Sequence, residues 1–103
     1  MIVAFVDDLM DRSRISAAFD GVKFQRAIAS DEPPKRDVDV VVIDLAKHAA
    51  IVSVIRAGYP TALLIGFAPH VDEVSANAAQ AGVDRAVPRS RFFRDVAAAL
   101  ATP

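Results

Sequence analysis

The sequence predicts an α/β fold, in which helices cover both faces of a parallel β-sheet. Apolar runs of strand length, rich in β-branched residues, occur at residues 2–6, 38–45 and 62–67. Continuous runs of this kind are typical of parallel strands that are buried on both faces. Segments with helical spacing alternate with these runs, and this alternation favours parallel pairing through right-handed crossovers. With 103 residues, the chain predicts one domain, 1–103.

The helical segments are recognised by apolar residues that recur at i, i+3, i+4 and i+7. Glycines follow three of these segments, where a helix commonly ends. The apolar positions of the four predicted helices are Ile15, Ala18, Phe19 and Val22, then Ile51, Val54 and Ile55, then Val71, Val74, Ala78 and Ala81, and finally Phe93, Val96 and Leu100; the glycines are Gly21, Gly58 and Gly82.

Two weaker runs, at residues 23–30 and 84–88, complete a set of five predicted strands. Residues 30–37 separate the second strand from the third, and they contain Pro33 and Pro34. This stretch is shorter than the ~10–12 residues of a normal crossover, and proline opposes a helix beyond its first turn. The sequence therefore predicts a shortened crossover at this point, in a flavodoxin-like sheet of order 2-1-3-4-5.

The overall composition excludes several classes of function. The net charge is −1, there is no cysteine, and no apolar run approaches the ~18 residues of a membrane span. We expect no nucleic-acid or membrane partner and a cytoplasmic location. No glycine-rich phosphate loop or nucleophile motif occurs, so enzymatic activity is not predicted. The hydrophobic fraction of 53% and the mean hydropathy of +0.32 favour an exposed apolar patch for a partner or for self-association.

Three aspartates fall where ligands bind to open parallel sheets, at the carboxyl ends of strands. Asp7 and Asp8 follow the first strand, and Asp44 ends the third, which is its neighbour in the predicted order. Clustered carboxylates repel one another unless a cation lies among them, and Mg²⁺ prefers such oxygen ligands. Alternatively, Asp8 and Asp44 could each cap the helix that follows, because aspartate is a favoured N-cap.

These residues also carry a resemblance to a known family. Residues 6–15, with the acidic pair Asp7–Asp8, resemble the opening of a two-component response-regulator receiver domain. Residues 40–45 are similar to the strand that carries the phosphoacceptor, and residues 81–84 are similar to the turn before the last strand. The resemblance implies that Asp7, Asp8 and Asp44 bind Mg²⁺, and that Asp44 accepts phosphate.

The chain departs from the family at the positions that respond to phosphorylation. The hydroxyl residue at the end of the fourth strand is replaced by Phe67 or Ala68, and the aromatic residue of the fifth strand by Ala86. The family's lysine–proline pair is replaced by Arg89–Ser90. A ligand shifts a two-state equilibrium only through contacts that differ between the states, so phosphorylation would lack its usual contacts. Arg89 and Lys47 remain as candidate counter-charges for a phosphate.

We therefore expect an atypical receiver, or pseudo-receiver: a stand-alone protein-interaction module of bacterial signalling that works without phosphorylation and forms homodimers through its last strand and helix. One alternative is a minimal phosphoaccepting response regulator that uses Asp44 with Mg²⁺. A third hypothesis is a flavodoxin-like binder of a small molecule or metal. The expected interaction surface comprises Arg85, Arg89, Arg91, Phe92 and Arg94. His48 and His70 are expected to be solvated loop residues, with a metal or proton-relay role as the weaker alternative.

Overall fold

One sheet of five parallel strands runs through the molecule in this computed structural model, which describes residues 1–69, 77 and 81–100. Along the sheet the strands lie in the order 2-1-3-4-5, so the predicted α/β class and strand order are confirmed, and the order is that of a flavodoxin-like fold. The strands are β1 (Ile2–Phe5), β2 (Lys23–Phe24), β3 (Val40–Asp44), β4 (Leu63–Ala68) and β5 (Arg85–Pro88).

Helices of four to ten residues follow strands β1, β3 and β5. Of the predicted helix on Val71, Val74, Ala78 and Ala81, the first three positions lie outside the described residues, and Ala81 is helical. None of the helices in the described ranges combines the length and apolar character needed to cross a membrane. The helices are α1 (Leu9–Ala18), α2 (Leu45–His48), α3 (Val52–Gly58), α4 (Arg89–Arg94) and α5 (Val96–Ala99), with a 3₁₀ turn at Ala49–Ile51 between α2 and α3.

The connection from β2 to β3 is a loop without a helix, as the prolines predict. The strand predicted over residues 23–30 is wrong in length, because β2 keeps only two residues. The chain then leaves the sheet, and the loop is fastened by a hydrogen bond from Lys35 N–H to the carbonyl of Gly58 (2.8 Å). Ile28 packs so closely over Gly58 that a Cβ there would lie 2.6 Å from its Cδ1. The loop therefore helps to cover the sheet face on which a crossover helix would have packed.

Alternating strand residues place two apolar layers on opposite faces of the sheet. On one face, Phe5 and Ile43 pack with Ile55 and Tyr59 of the α3 region. On the other face, β-strand side chains pack with Ile15 of α1 and with the C-terminal helices. Burial on both faces is the reason that the strands read as continuous apolar runs.

The last predicted helix is divided in two at Asp95, whose backbone is extended (φ −152°, ψ 87°) and whose carboxylate accepts a hydrogen bond from Ala98 N–H (3.1 Å). Phe92 is fully buried, whereas Phe93 is only partly buried. Phe92 joins Val96 and Leu100 in the core, and Phe93 packs against the same core. Both Phe92 and Phe93 have helical spacing to Val96, and the fully buried one is Phe92 rather than the predicted Phe93.

Candidate functional site

The predicted acidic residues lie at one edge of the sheet. Asp7 and Asp8 follow β1, and Asp44 is the last residue of β3. These strands pair in parallel, with Phe5 opposite Ile43, so their carboxyl ends are adjacent. The fold thus places these strand ends next to each other, as predicted. What the site can do chemically depends on which groups contact each carboxylate.

Two of the carboxylates cap helices. Asp8 Oδ1 accepts a hydrogen bond from the backbone N–H of Asp11 (3.0 Å) at the start of α1. Asp44 Oδ1 accepts one from the backbone N–H of Ala46 (3.1 Å) at the start of α2. The capping alternative is therefore confirmed for both residues, since each satisfies a backbone donor that the helix itself leaves unpaired.

Asp7 contacts a histidine of α2, the helix that follows the neighbouring strand β3. His48 Nε2 lies 3.2 Å from Asp7 Oδ1, and the Asp7 side chain is 42% exposed. His48 is the last residue of α2, is only 8% exposed, and makes an edge contact with the ring of Phe5 at 6.2 Å. The expectation of a solvated loop histidine is wrong for His48, because the turn after β3 folds its ring back onto the core. His70 lies outside the described residues.

A fourth aspartate, Asp11, is the residue that sequence reasoning missed. It is 2% exposed and forms a two-pronged ion pair with Arg89. Nη1 of Arg89 donates to Oδ2 of Asp11 at 2.8 Å, and Nη2 donates to Oδ1. The position of Asp11, three residues after Asp8, was a signal of a capping-box acid. Nothing local could have indicated that its partner lies 78 residues further along the chain.

Arg89 supplies positive charge to the whole acidic edge. Its pKa is raised first by the hydrogen bonds that it donates to Asp11 and then by the charges of Asp11, Asp44 and Asp8. Burial raises the pKa of Asp44; the hydrogen bond from Ala46 and the charge of Arg89 oppose that shift, and the charge of Asp11 adds to it. Asp44 is therefore a carboxylate whose negative charge is costly to bury and only partly compensated by Arg89.

Aromatic rings pack at the end of β4, next to Asp44. Phe67 pairs with Asp44 in the β3–β4 register, is fully buried, and stacks on Phe92 at 4.9 Å. The guanidinium of Arg89 lies over the rings of Phe67 (5.6 Å) and Phe93 (4.9 Å). These cation–π contacts and the Asp11 pair hold Arg89 in place from two sides.

The arrangement does not fit Mg²⁺ as it stands. Asp7 contacts His48, Asp8 and Asp44 cap helices, and Asp11 holds Arg89. Within residues 1–69, 77 and 81–100, no three or more His, Asp or Glu side chains are grouped so as to hold a metal ion. Mg²⁺ binding by Asp7, Asp8 and Asp44 stays a prediction, and the cation that this geometry places beside the carboxylates is the guanidinium of Arg89.

The predicted interaction surface is divided by the structure. Arg91 and Arg94 are exposed, and so is Lys47, which has no ion pair in the described part of the chain. Arg85 donates to the carbonyl of Ala99 (2.9 Å) and so ties β5 to α5. Phe92 is buried, so its placement on the surface is wrong; adjacent helix positions cannot both face the core, and here Phe93 is the more exposed of the two.

Large apolar side chains are exposed next to the acidic edge. Leu9 and Met10, which follow Asp8 at the start of α1, are 75% and 68% exposed. Met1 is 47% exposed. In the described residues, these three side chains are the exposed large apolar groups.

No family model matches this chain, and no curated protein shows a significant match to it. What the fold and the site define is a class: an α/β protein of flavodoxin-like strand order whose acidic edge contains an arginine that pairs with one of its aspartates.

Proposed function

We propose that this chain is an atypical receiver-like signalling domain that acts as a protein-interaction module without phosphorylation of Asp44. One observation carries the proposal: Arg89, the cation beside Asp44, is already held by the buried carboxylate of Asp11. A phosphate on Asp44 could gain Arg89 only if the pair with Asp11 were given up. Leaving a buried carboxylate without its partner is unfavourable, which opposes that exchange.

The neighbourhood of Asp44 supports the same proposal. Phe67, opposite Asp44 on β4, has no hydroxyl to follow a phosphate, and its ring is fixed between Phe92 and Arg89. Ala86 on β5 has no ring that could move inward. Because a switch needs contacts that differ between its two states, a phosphate at Asp44 has little in this site to act upon.

The surface chemistry favours an acidic protein partner. Arg91 and Arg94 are exposed and have no carboxylate partner in the described residues, so they would complement a negatively charged surface. In a symmetric homodimer the same patch occurs on both partners, so the interface would contain the charges of these two arginines twice. The homodimer expected through the last strand and helix would therefore need carboxylates opposite them or contacts away from them.

The experiment is an amide NMR titration with Mg²⁺, followed by beryllofluoride as a mimic of a phosphoryl group. We expect either no shifts or shifts confined to Asp7, Asp8 and Asp44. Shifts that spread from Asp44 to residues 86–93 after beryllofluoride is added would contradict the proposal. Asp44→Asn is the matched control, because it removes the carboxylate that would accept the mimic and keeps an oxygen for the Ala46 cap.

One observation favours the alternative, a minimal phosphoaccepting regulator. Asp44 lies at the carboxyl end of β3, next to the end of β1, where the partly exposed Asp7 gives solvent a path to the acidic edge. Arg89 and Lys47 would then be the counter-charges of the phosphate. The spread of shifts in the same titration decides between the two functions.

A further inference from the structure

A cavity of about 340 Å³ lies beside the acidic edge, between α1 and α4. The residues that line it are Arg14, Arg89, Ser90, Phe93 and Arg94. Of these five, which all belong to the described residues, three are cations and none carries a carboxylate. Its volume is at the lower end of the range for small-ligand sites, roughly 300–1,000 Å³.

Two of the three arginines have N–H donors that are not paired with a carboxylate. Neither Arg14 nor Arg94 pairs with a carboxylate in the described part of the chain, and both are exposed. Arg89 is paired with Asp11, which is not a lining residue, and this pair neutralises about one of the three charges. The cavity therefore presents an excess of about two positive charges and the hydroxyl of Ser90.

Phe93 orders these cations. The guanidinium of Arg14 lies 5.6 Å from the centre of its ring, and that of Arg89 lies 4.9 Å from it. A guanidinium over an aromatic ring is held through its face, so the N–H groups in its plane remain available to donate. In-plane pairs of donors match the oxygens of a phosphate in a two-pronged geometry.

We propose that this cavity binds a phosphate dianion, either free phosphate or the phosphate group of a small phosphorylated molecule, through Arg14, Arg94 and Ser90, with Arg89 as a fixed neighbouring charge. A phosphate carries a charge of about −1.5 to −2 at pH 7, which balances the two unpaired guanidiniums; a carboxylate would balance only one. The inference shares Arg89 and Arg94 with the function proposed above but does not require it, because no step involves Asp44 or a protein partner.

The test is an amide NMR titration with inorganic phosphate and, separately, phenyl phosphate, at constant ionic strength and with EDTA present. EDTA excludes any contribution from divalent metal at Asp7, Asp8 and Asp44, so failure here is distinguishable from failure of the proposed function. We expect saturable shifts at Arg14, Ser90 and Phe93. Tighter binding of phenyl phosphate would identify a monoester whose organic part contacts Phe93, and tighter binding of inorganic phosphate would identify the free anion.

Arg14→Gln and Arg94→Gln should each weaken binding about tenfold, as expected for the loss of a hydrogen bond between charged groups. Both side chains are exposed, so the variants should fold, and if one fails to fold the other still serves as the test. Arg36→Gln is the matched control: it removes an exposed arginine that precedes β3, at the opposite end of the sheet, and should leave binding unchanged.

Three outcomes would overturn the proposal. The first is that no saturable shift occurs with either probe. The second is that acetate at the same ionic strength produces the same shifts with the same affinity, which would indicate a general positive field. The third is that Arg36→Gln weakens binding as much as Arg14→Gln does, because the effect would then follow net charge rather than the cavity.

Discussion

Each end of the sheet carries an arginine that pairs with an aspartate, and the two arginines differ in their surroundings. At the amino end, Arg56 of α3 donates to the carbonyls of Tyr59 (2.6 Å) and Ala62 (2.8 Å) and to Asp84 (3.1 Å). Asp84 also accepts from Leu64 N–H (2.8 Å). The partners are mostly backbone groups just before β4 and β5, so this network fixes where those two strands begin.

At the carboxyl end, Arg89 contacts side chains instead: the buried carboxylate of Asp11 and the rings of Phe67 and Phe93. Asp44, whose pKa is raised, lies within its field, and a basic cavity lies beside it. The comparison teaches that an Arg–Asp pair by itself does not mark a site. What distinguishes the carboxyl end is buried charge, a shifted pKa and space for a ligand.

The largest expected effect comes from Arg89→Ala. The Asp11 carboxylate, whose side chain is 3% exposed, would be left buried without its cation. Breaking a buried pair in this way costs about 3–5 kcal/mol. Because the Arg89 side chain is 38% exposed, we expect the free energy of unfolding to fall by about 3 kcal/mol, at the lower end of this range. Urea unfolding measures it. If Arg89→Ala loses less free energy of unfolding than Arg56→Ala does, the carboxyl-end pair is not the more important of the two for stability.

Arg56→Ala should cost less, about 2 kcal/mol, because the groups that lose their donor are partly accessible to water. The side chains of Arg56 and Asp84 are 27% and 44% exposed. Urea unfolding again gives the value, and the amide shifts of Leu64 and Asp84 should report the loosened loops. Arg91→Ala is the matched control, since an exposed arginine without a partner in the described residues should change stability by no more than about 0.5 kcal/mol.

Asp11→Asn should cost about 1 kcal/mol, less than Arg89→Ala, because the cation it leaves behind can be hydrated and still has Asp44 nearby. The more specific prediction is that removing the aspartate costs less stability than removing the arginine. The double variant Asp11→Asn/Arg89→Ala should be more stable than Arg89→Ala alone, since it removes the uncompensated charge. Strict additivity of the two losses would show that the pair is not coupled.

The smallest effect has the opposite sign: Asp44→Asn should raise the free energy of unfolding at pH 7 by less than about 1 kcal/mol. Because the folded-state pKa of Asp44 lies above its ordinary value of 3.8, burial penalises the ionised form. In the native protein this penalty is absent below the unfolded-state pKa and is complete above the folded-state pKa. The gain of the variant should therefore fade as the pH falls through the folded-state pKa of Asp44 and should be absent below about 4. A gain that is constant with pH would contradict the assignment.

Several features of the fold were predictable because they depend on local chemistry. Apolar runs indicated the strands, and Pro33 and Pro34 indicated the missing crossover helix. Asp8 and Asp44 were recognised as possible caps because an N-cap contacts backbone only two or three residues away. The length of β2 and the break at Asp95 were not predictable, since both depend on how the flanking segments pack.

By itself, the sequence determined the class of the fold, the order of the strands and the edge at which the acidic residues gather, because hydrophobic periodicity and the handedness of crossovers are properties of the chain. The tertiary structure alone decided that Arg89 belongs to Asp11, that His48 contacts Asp7, and that Phe92 rather than Phe93 is buried. The two pairings join residues that are distant in sequence, so no local pattern encodes them. Phe92 and Phe93 both have helical spacing to Val96, so spacing alone does not choose between them and the three-dimensional packing does.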